Sequence, residues 1–359
     1  MFKRYLFNIK TYVPGKPIEE VKREFKLKKV IKLASNENAW GPSKRVKEAI
    51  LKELPKINRY PPADCYYLRR ALALKFKVKE DQIIIGNGSD ELIVLVLRAL
   101  VEKGDEVIVA WPTFLIYEIQ ARISGAKVIR VKLKNFKYDL EGMKKKITKK
   151  TKIIFIANPD NPTGSFVNNR ELENFLKSVP ENILVFIDEA YFEYARLIPS
   201  YPDSLQFLKD NYNNIFISRT FSKAYGLAGL RIGYGISNNK NIEILNKVRE
   251  PFNVNSLAQI AALHALKDQE HLQKVVRATQ REKEKMYEEL RRMGLEYKET
   301  ATNFILIKVH DSQKVCRELL KKGIIVRDLD RWGLKGFIRV TVGRPIENVQ
   351  FLKEIRRLV

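Results

Sequence analysis

Short runs of β-branched and other apolar residues recur through the middle of the chain and alternate with stretches of helical periodicity. The apolar runs cover residues 82–85, 106–110, 127–131, 152–157, 183–187, 214–218 and 231–235. The helical stretches between them cover residues 91–101, 115–124, 140–147 and 169–178. Strands that are apolar on both faces and separated by helices predict an α/β fold with a mostly parallel sheet flanked by helices. In such sheets ligands bind at the carboxyl ends of the strands.

The pattern changes after residue 235. Residues 256–266 and 269–293 read as helices, and the second is long enough to pass from one domain to another. Short strands at 303–309, 324–327 and 337–342 then surround a helix at 312–322. These elements predict a smaller α+β domain. We therefore expect a large domain of residues 32–268 and a small domain made of residues 1–31 and 269–359.

Composition excludes several classes of protein. The chain has two cysteines without a CxxC pair and three histidines without an HExxH pair, so we predict neither a metal site nor a disulfide framework. The formal charge of +25 comes from basic residues spread along the chain without a nucleic-acid-binding motif. We read it as a lysine-rich surface that would attract anionic substrates, not as a nucleic-acid interface. With neither a signal peptide nor a membrane-length apolar run, we expect a cytoplasmic protein that does not bind a membrane.

Two loops at predicted strand ends are rich in turn-forming residues. The first, at 85–91, brings Gly86, Gly88 and Ser89 to the start of a helix, where free N–H groups suit a phosphate. A plain strand-to-helix turn explains it equally well, with Ser89 as the N-cap. A dinucleotide fingerprint fails because Glu91 stands where glycine or alanine is needed. The second loop, at 158–164, combines Asn/Asp-Pro steps with a glycine, which favours a rigid turn presenting Asn161 to a ligand.

Charged residues follow or interrupt other buried strands. Asp188 ends a fully apolar run and needs a cationic partner, either an arginine or a protonated ring nitrogen. Lys223 lies in a segment of small residues at 218–234, where burial and neighbouring arginines would favour a neutral, nucleophilic amine. Arg231 would add a fixed charge for phosphate. Arg327 and Arg339, in the small domain, suggest binding of an anion, although an exposed edge strand explains Arg339 equally well.

The ordered motifs resemble those of the fold-type I, class II aminotransferases that use pyridoxal phosphate, and in particular the histidinol-phosphate aminotransferase family. The resemblance covers essentially the whole chain. Its motifs are YVPGKP at 12–17, LASNENAWGPS at 33–43, RYP at 59–61, GSDE at 88–91, PTF at 112–114, NPTG at 161–164, DEAY at 188–191, SK at 222–223, Arg231, RD at 327–328 and RVTVG at 339–343. Ala39, Trp40 and Asp160 depart from the usual pattern, and none of the three is expected to do chemistry.

The resemblance implies a role for each matched residue. Lys223 would form the Schiff base with the cofactor, Asp188 would pair with its ring nitrogen, and Tyr191 would complete the catalytic group. The remaining cofactor-binding residues would be Asn161 with Tyr191 at the phenolic oxygen, Phe114 on the ring face, Gly88, Ser89, Asp90, Ser222 and Arg231 at the phosphate, and Tyr60 from the second subunit of a homodimer. The substrate-binding residues would be Tyr12, Asn161, Arg327 and Arg339.

The implied reaction exchanges an amino group between L-histidinol phosphate and 2-oxoglutarate, giving imidazole-acetol phosphate and glutamate in histidine biosynthesis. Two relatives with nearly the same motifs remain open: a threonine-phosphate decarboxylase and an aromatic-amino-acid aminotransferase. A non-catalytic regulator on the same fold is a further alternative, but such regulators usually carry a DNA-binding domain for which this chain has no room.

Overall fold

The computed structural model describes residues 2, 4–9 and 11–359. Residues 1, 3 and 10 of the predicted N-terminal segment 1–31 lie outside the described residues. The strands are β1 (Ile31–Lys32), β2 (Ile83–Gly86), β3 (Glu106–Trp111), β4 (Lys127–Lys132), β5 (Thr151–Ala157), β6 (Leu184–Asp188), β7 (Ile215–Thr220), β8 (Gly233–Ile236), β9 (Tyr297–Lys298), β10 (Phe304–Lys308), β11 (Ile324–Ile325), β12 (Arg327–Asp328) and β13 (Phe337–Thr341).

Helices fill most of the chain between these strands. The α-helices are α1 (Ile18–Phe25), α2 (Lys44–Glu53), α3 (Tyr66–Phe76), α4 (Ser89–Leu100), α5 (Leu115–Ile123), α6 (Leu140–Lys144), α7 (Asn169–Ser178), α8 (Phe192–Ala195), α9 (Ser204–Lys209), α10 (Asn239–Val248), α11 (Ser256–Lys267), α12 (Gln269–Arg292), α13 (Ser312–Lys321) and α14 (Pro345–Ile355). Short 3-10 helices lie at Arg4–Asn8, Leu54–Lys56, Glu80–Gln82, Ala228–Leu230 and Asp330–Trp332.

The central sheet has seven strands in the order β2-β8-β7-β6-β5-β3-β4. The strands from β4 to β7 pair in parallel, which confirms the predicted α/β fold with a mostly parallel sheet. β8 is antiparallel to both of its neighbours. The antiparallel direction of β8 has a physical reason: β7 and β8 are joined by a loop with a short 3-10 turn rather than by the crossover helix that parallel neighbours need. Every other predicted strand of this sheet lies within about two residues of its predicted bounds.

The C-terminal part forms a four-stranded antiparallel sheet in the order β12-β13-β10-β9. The strand predicted at 324–327 is two strands, because β11 pairs with β1 whereas β12 pairs with β13. Helix α12 contributes Leu272 and Val276 to the core around the central sheet, and Met286 and Leu290 to a separate core under the smaller sheet. The domain bounds 32–268, and 1–31 with 269–359, remain a proposal that fits these two cores.

Among the described residues, no helix is long and apolar enough to cross a membrane.

Candidate active site

A cavity of about 320 Å³ opens at the carboxyl ends of the central strands. This is where a parallel sheet is expected to bind ligands. Residues at the ends of the central strands, residues of the loops and helices that follow them, and Tyr12 of the N-terminal segment form its wall. Ten of the predicted site residues line it: Tyr12, Ser89, Asp90, Phe114, Asn161, Asp188, Tyr191, Ser222, Lys223 and Arg231. The structure therefore brings together most of the residues that were singled out in the sequence.

Lys223 follows β7 by three residues, and its side chain forms part of the cavity wall. Its Nζ donates to the backbone oxygen of Ser35 at 3.4 Å and lies 5.7 Å from the centre of the Tyr191 ring. Burial and, to a smaller extent, the positive charge of Arg339 lower the pKa of this amine to about 8, against the opposing charge of Asp90. Lys223 thus has a larger neutral fraction near neutral pH than a surface lysine has.

Asp188 is the last residue of β6 and is almost fully buried. Its Oδ2 accepts a hydrogen bond from the Tyr117 hydroxyl at 2.6 Å, and its Oδ1 accepts one from the Ala190 backbone at 3.0 Å. Burial raises the pKa of this carboxyl group to about 6, although both hydrogen bonds favour the charged form. Neither contact brings a positive charge, so a cationic group of a ligand would find its counter-ion here.

Tyr191 and Asn161 line the cavity, and each is held by a side chain from another part of the chain: Asn36 contacts Tyr191, and Arg339 of the small sheet contacts Asn161. The Tyr191 hydroxyl accepts a hydrogen bond from Asn36 Nδ2 at 2.7 Å, and burial raises its pKa to about 12. Asn161 Oδ1 accepts from Arg339, whose other terminal nitrogen donates to the backbone oxygen of Ala34 at 2.8 Å. These side chains are therefore held by residues distant in sequence.

A positively charged corner of the cavity forms where α4 begins. Ser89 was expected to cap this helix, but Gly88 occupies the N-cap position and no side chain accepts from the first turn, so those N–H groups remain free for an anion. Arg231 extends to Ser222 Oγ at 3.4 Å and to Asp90 Oδ2 at 3.4 Å. Gly88 has a φ of +81°, which favours glycine, and a Cβ atom there would lie 2.7 Å from Nη2 of Arg231 and would displace the end of that side chain.

Arg327 and Arg339 do not line the cavity wall directly but stand behind it. Arg339 is buried and Arg327 is partly buried, and both guanidinium groups lie near the ring of Trp332, 5.6 Å and 5.7 Å from its centre, respectively. Arg327 also faces the ring of Tyr12 at 5.8 Å and donates to the backbone oxygen of Val13 at 2.7 Å. Their partners are neutral, and in the described part of the chain the Nε of each arginine has none. An anionic ligand would neutralise this pair.

Tyr60 is not part of this arrangement. Its side chain is 82% exposed and stacks on Phe252, with ring centroids 4.6 Å apart. Its predicted role needs a second subunit and stays a prediction.

Two side chains that donate hydrogen bonds to predicted site residues had no role assigned from the sequence: Tyr117 donates to Asp188, and Asn36 donates to Tyr191. Tyr117 lies one helical turn beyond Phe114 on α5, and Asn36 belongs to the SNEN motif. The helical spacing from Phe114 was the only signal for Tyr117. Across the described residues, no cluster of histidine, cysteine and carboxylate side chains could hold a metal ion.

Comparison with known proteins places these residues in a family. The model of the aminotransferase class I and II family matches residues 28–355. The histidinol-phosphate aminotransferase 2 of Carboxydothermus hydrogenoformans is 46% identical, with 100% of this chain and 99% of that protein covered. The histidinol-phosphate aminotransferase of Moorella thermoacetica is also 46% identical, over 99% of this chain and 92% of that protein. The crystal structure of histidinol-phosphate aminotransferase from Sinorhizobium meliloti in complex with pyridoxal-5'-phosphate superposes with a TM-score of 0.89 at 27% identity, covering 100% of this chain and 99% of that one.

Proposed function

The chain belongs to the aminotransferase class I and II family, and on this basis we propose that it transfers an amino group between L-histidinol phosphate and 2-oxoglutarate, with pyridoxal phosphate as cofactor. The products would be imidazole-acetol phosphate and glutamate, a step of histidine biosynthesis. The identity of 46% to a histidinol-phosphate aminotransferase along the whole chain carries the substrate assignment. We place the protein in the cytoplasm, as the sequence predicted.

The residues of the cavity fit pyridoxal phosphate. The space kept open by Gly88 beside Arg231, next to the uncapped start of α4, suits the phosphate. The buried carboxylate of Asp188 suits a protonated ring nitrogen, and Lys223 supplies the amine. When bound, this cofactor supplies an aldehyde that condenses with amines and a ring that withdraws electrons from the reacting carbon.

The chain's own side chains then have distinct tasks. Lys223 Nζ would take the proton from the amine-bearing carbon of the substrate and deliver it to the C4′ carbon of the cofactor, on the other side of the amino nitrogen. Asp188 would keep the ring nitrogen protonated, while Tyr191 and Asn161 would donate to the phenolic oxygen. Because histidinol phosphate has no α-carboxylate and glutamate has one, Arg339 and Arg327 would accept a phosphate in one half-reaction and a carboxylate in the other.

A panel of substrates tests the assignment. The purified chain with 2-oxoglutarate is expected to convert histidinol phosphate to imidazole-acetol phosphate with a kcat/KM at least about 100-fold higher than for phenylalanine, because a doubly charged phosphate pairs more strongly with the two arginines than the single carboxylate of phenylalanine does. Product formation by mass spectrometry and CO2 release from threonine phosphate are measured side by side. Release of CO2 without amino transfer would show a decarboxylase instead. A chain that takes up no pyridoxal phosphate would favour the non-catalytic regulator.

Replacing Arg231 by glutamine is expected to raise the dissociation constant of pyridoxal phosphate by about 10- to 100-fold, because a hydrogen bond to a charged group contributes about 1.5–3 kcal/mol. Absorbance titration of the cofactor-free chain measures it. Pyridoxal, which lacks the phosphate, should bind the variant and the wild type equally. Arg292→Gln, an exposed arginine bonded to Glu289, serves as the matched control. Equal loss of pyridoxal and pyridoxal phosphate binding would contradict the phosphate role.

We also propose that the chain is a homodimer in which Tyr60 completes the partner's site. The support is the exposure of Tyr60 and Phe252, together with the exposed apolar side chains Ile57 and Tyr67 on the same stretch, since such patches mark interfaces.

Mixing two impaired variants, at a cofactor concentration low enough to leave Tyr60→Ala mostly unloaded, tests this arrangement. Tyr60→Ala should weaken cofactor binding about tenfold, and Lys223→Ala should be inactive. In a hybrid dimer, the Tyr60→Ala chain keeps Lys223 and receives an intact Tyr60 from its partner. The mixture, after exchange of subunits, should therefore regain part of the activity. Absence of recovery in hybrid dimers verified by mass would place Tyr60 in the site of its own chain, and light scattering that gives a monomer would remove the dimer.

A further inference from the structure

The carboxyl group of Asp160 is completely buried beside the candidate active site, in the turn that follows β5. Three donors surround it. Its Oδ1 accepts from the Thr113 hydroxyl at 2.7 Å, and its Oδ2 accepts from the Thr163 hydroxyl at 2.8 Å and from the Thr163 backbone at 3.1 Å. A carboxylate is the only form of this side chain that accepts all three bonds without donating one.

The bond from Thr113 joins two loops that reach the cavity from different strands, whereas the two bonds from Thr163 lie within one turn. Thr113 directly precedes Phe114 in the loop between β3 and α5. Asp160 directly precedes Asn161 in the turn between β5 and α7. Both Phe114 and Asn161 line the cavity. The Asp160 carboxylate is therefore a direct link between the backbone positions of these two residues.

The same carboxylate fixes the direction of a chain of buried hydrogen bonds. The Ala157 backbone donates to the Tyr138 hydroxyl at 3.1 Å, and Tyr138 lies 2.7 Å from the Thr113 hydroxyl. Thr113 has one proton and gives it to Asp160, so Tyr138 must donate to Thr113. Each hydroxyl in this series of hydrogen bonds thus has an acceptor for its proton, and the series ends at the Asp160 carboxylate, which only accepts.

We propose that Asp160 is a positioning residue that, as a carboxylate, fixes Phe114 relative to Asn161. The proposed function sets Asn161 at the phenolic oxygen of the cofactor, and the family resemblance sets Phe114 on the face of its ring. The inference rests on that proposed function. Burial raises the pKa of Asp160 to about 6, while the bonds from Thr113 and Thr163 oppose the rise, so the group is mostly ionised at neutral pH.

An asparagine has the same shape but cannot make the same bonds. With its amide nitrogen toward Thr113, it would force the Thr113 proton onto Tyr138, whose own proton would then lose its acceptor. Turned the other way, the amide nitrogen would face the Thr163 backbone donor. Each arrangement leaves a buried group unpaired, which loosens the connection between the two loops.

The test compares four variants of the full chain: Asp160→Asn, Thr113→Val, Thr113→Ser and Asp139→Asn. Asp139 follows Tyr138 but caps α6, a role that asparagine also performs, and it is the matched control. Pyridoxal phosphate is titrated into each cofactor-free variant, and the induced circular dichroism per bound cofactor reports the fixed orientation of its ring. The thermal midpoint of each cofactor-free variant is recorded separately.

Asp160→Asn and Thr113→Val are expected to raise the cofactor dissociation constant about tenfold and to weaken the induced dichroism, because each removes one buried hydrogen bond. Thr113→Ser keeps the hydroxyl and, like Asp139→Asn, should stay within about twofold of the wild type. If Asp160→Asn does not fold, the two Thr113 variants decide. Unchanged affinity and dichroism in Thr113→Val, or in a folded Asp160→Asn whose thermal midpoint falls, would overturn the proposal. A wild-type chain that binds no cofactor would overturn the proposed function itself.

Discussion

Replacing Lys223 by alanine is expected to reduce amino transfer by at least about 10⁴-fold, because the same amine both holds the cofactor and moves the proton. The variant should also lose the absorbance band at ~420 nm that comes from the cofactor joined to the Lys223 amine. The structure supports so large an effect, since Lys223 reaches into the cavity between Tyr191 and Ser35. Single-turnover assays and absorbance spectra on the same sample measure both changes.

Two controls separate chemistry from folding. Lys223→Arg keeps a positive charge and most of the volume but has no nucleophilic amine, so it should fold and remain inactive. Lys44→Ala removes a lysine whose side chain is 91% exposed and should leave activity unchanged. Turnover of Lys223→Ala within about tenfold of the wild type would assign the proton transfer to another group.

The rate at which Lys223 condenses with the cofactor aldehyde, here called the capture rate, depends on pH and therefore reports the pKa of this amine. Only neutral Lys223 attacks an aldehyde, and burial with the nearby charge of Arg339 lowers its pKa to about 8. The capture rate should therefore rise with pH and level off above about pH 8, whereas the ordinary lysine pKa of 10.5 would give a rate still rising at pH 9. Arg339→Met removes one positive charge and should move the midpoint upward.

The strand ends carry the part of this site that the sequence could predict. Asp188 follows five apolar residues and Lys223 follows another buried strand, and parallel strands bring such ends to one edge of a sheet. The free N–H groups at the start of α4 were also predicted, although Ser89 was expected as the N-cap and Gly88 takes that position.

Contacts between elements distant along the chain could not be predicted in the same way. Tyr117 meets Asp188 because α5 packs beside β3. Trp332 lies near Arg327 and Arg339 because it belongs to the short 3-10 turn that connects β12 with β13. Asp160 looked like a neutral departure from a common asparagine. Its three donors come from Thr113 and Thr163, and the bond to Thr113 spans 47 residues, a distance that no local pattern encodes.

Replacing Asp188 by asparagine is expected to lower kcat by about 10²- to 10³-fold, the usual loss when one preorganised polar group facing a developing charge is removed. The carboxylate sits at the end of β6 with its two oxygens held by Tyr117 and Ala190. Asparagine would retain the shape but not the negative charge. A ring nitrogen beside it would therefore lose its proton, and the ring would withdraw electrons from the reacting carbon less strongly. Exchange of the substrate's reacting hydrogen with solvent, followed by NMR, should slow in parallel with kcat.

Tyr117→Phe distinguishes the charge of Asp188 from its position. This variant keeps the carboxylate but removes the bond that favours its charged form, so the pKa of Asp188, about 6 in the cofactor-free chain, should rise. A raised pKa means that the ionised form is lost at a higher pH as acid is added, so the affinity for pyridoxal phosphate should begin to fall at a higher pH than in the wild type. Asp188→Asn has no such ionisation and should show none of this dependence. If the acid-side midpoint of cofactor binding were the same in all three proteins, the charge of Asp188 would not be what holds the ring nitrogen.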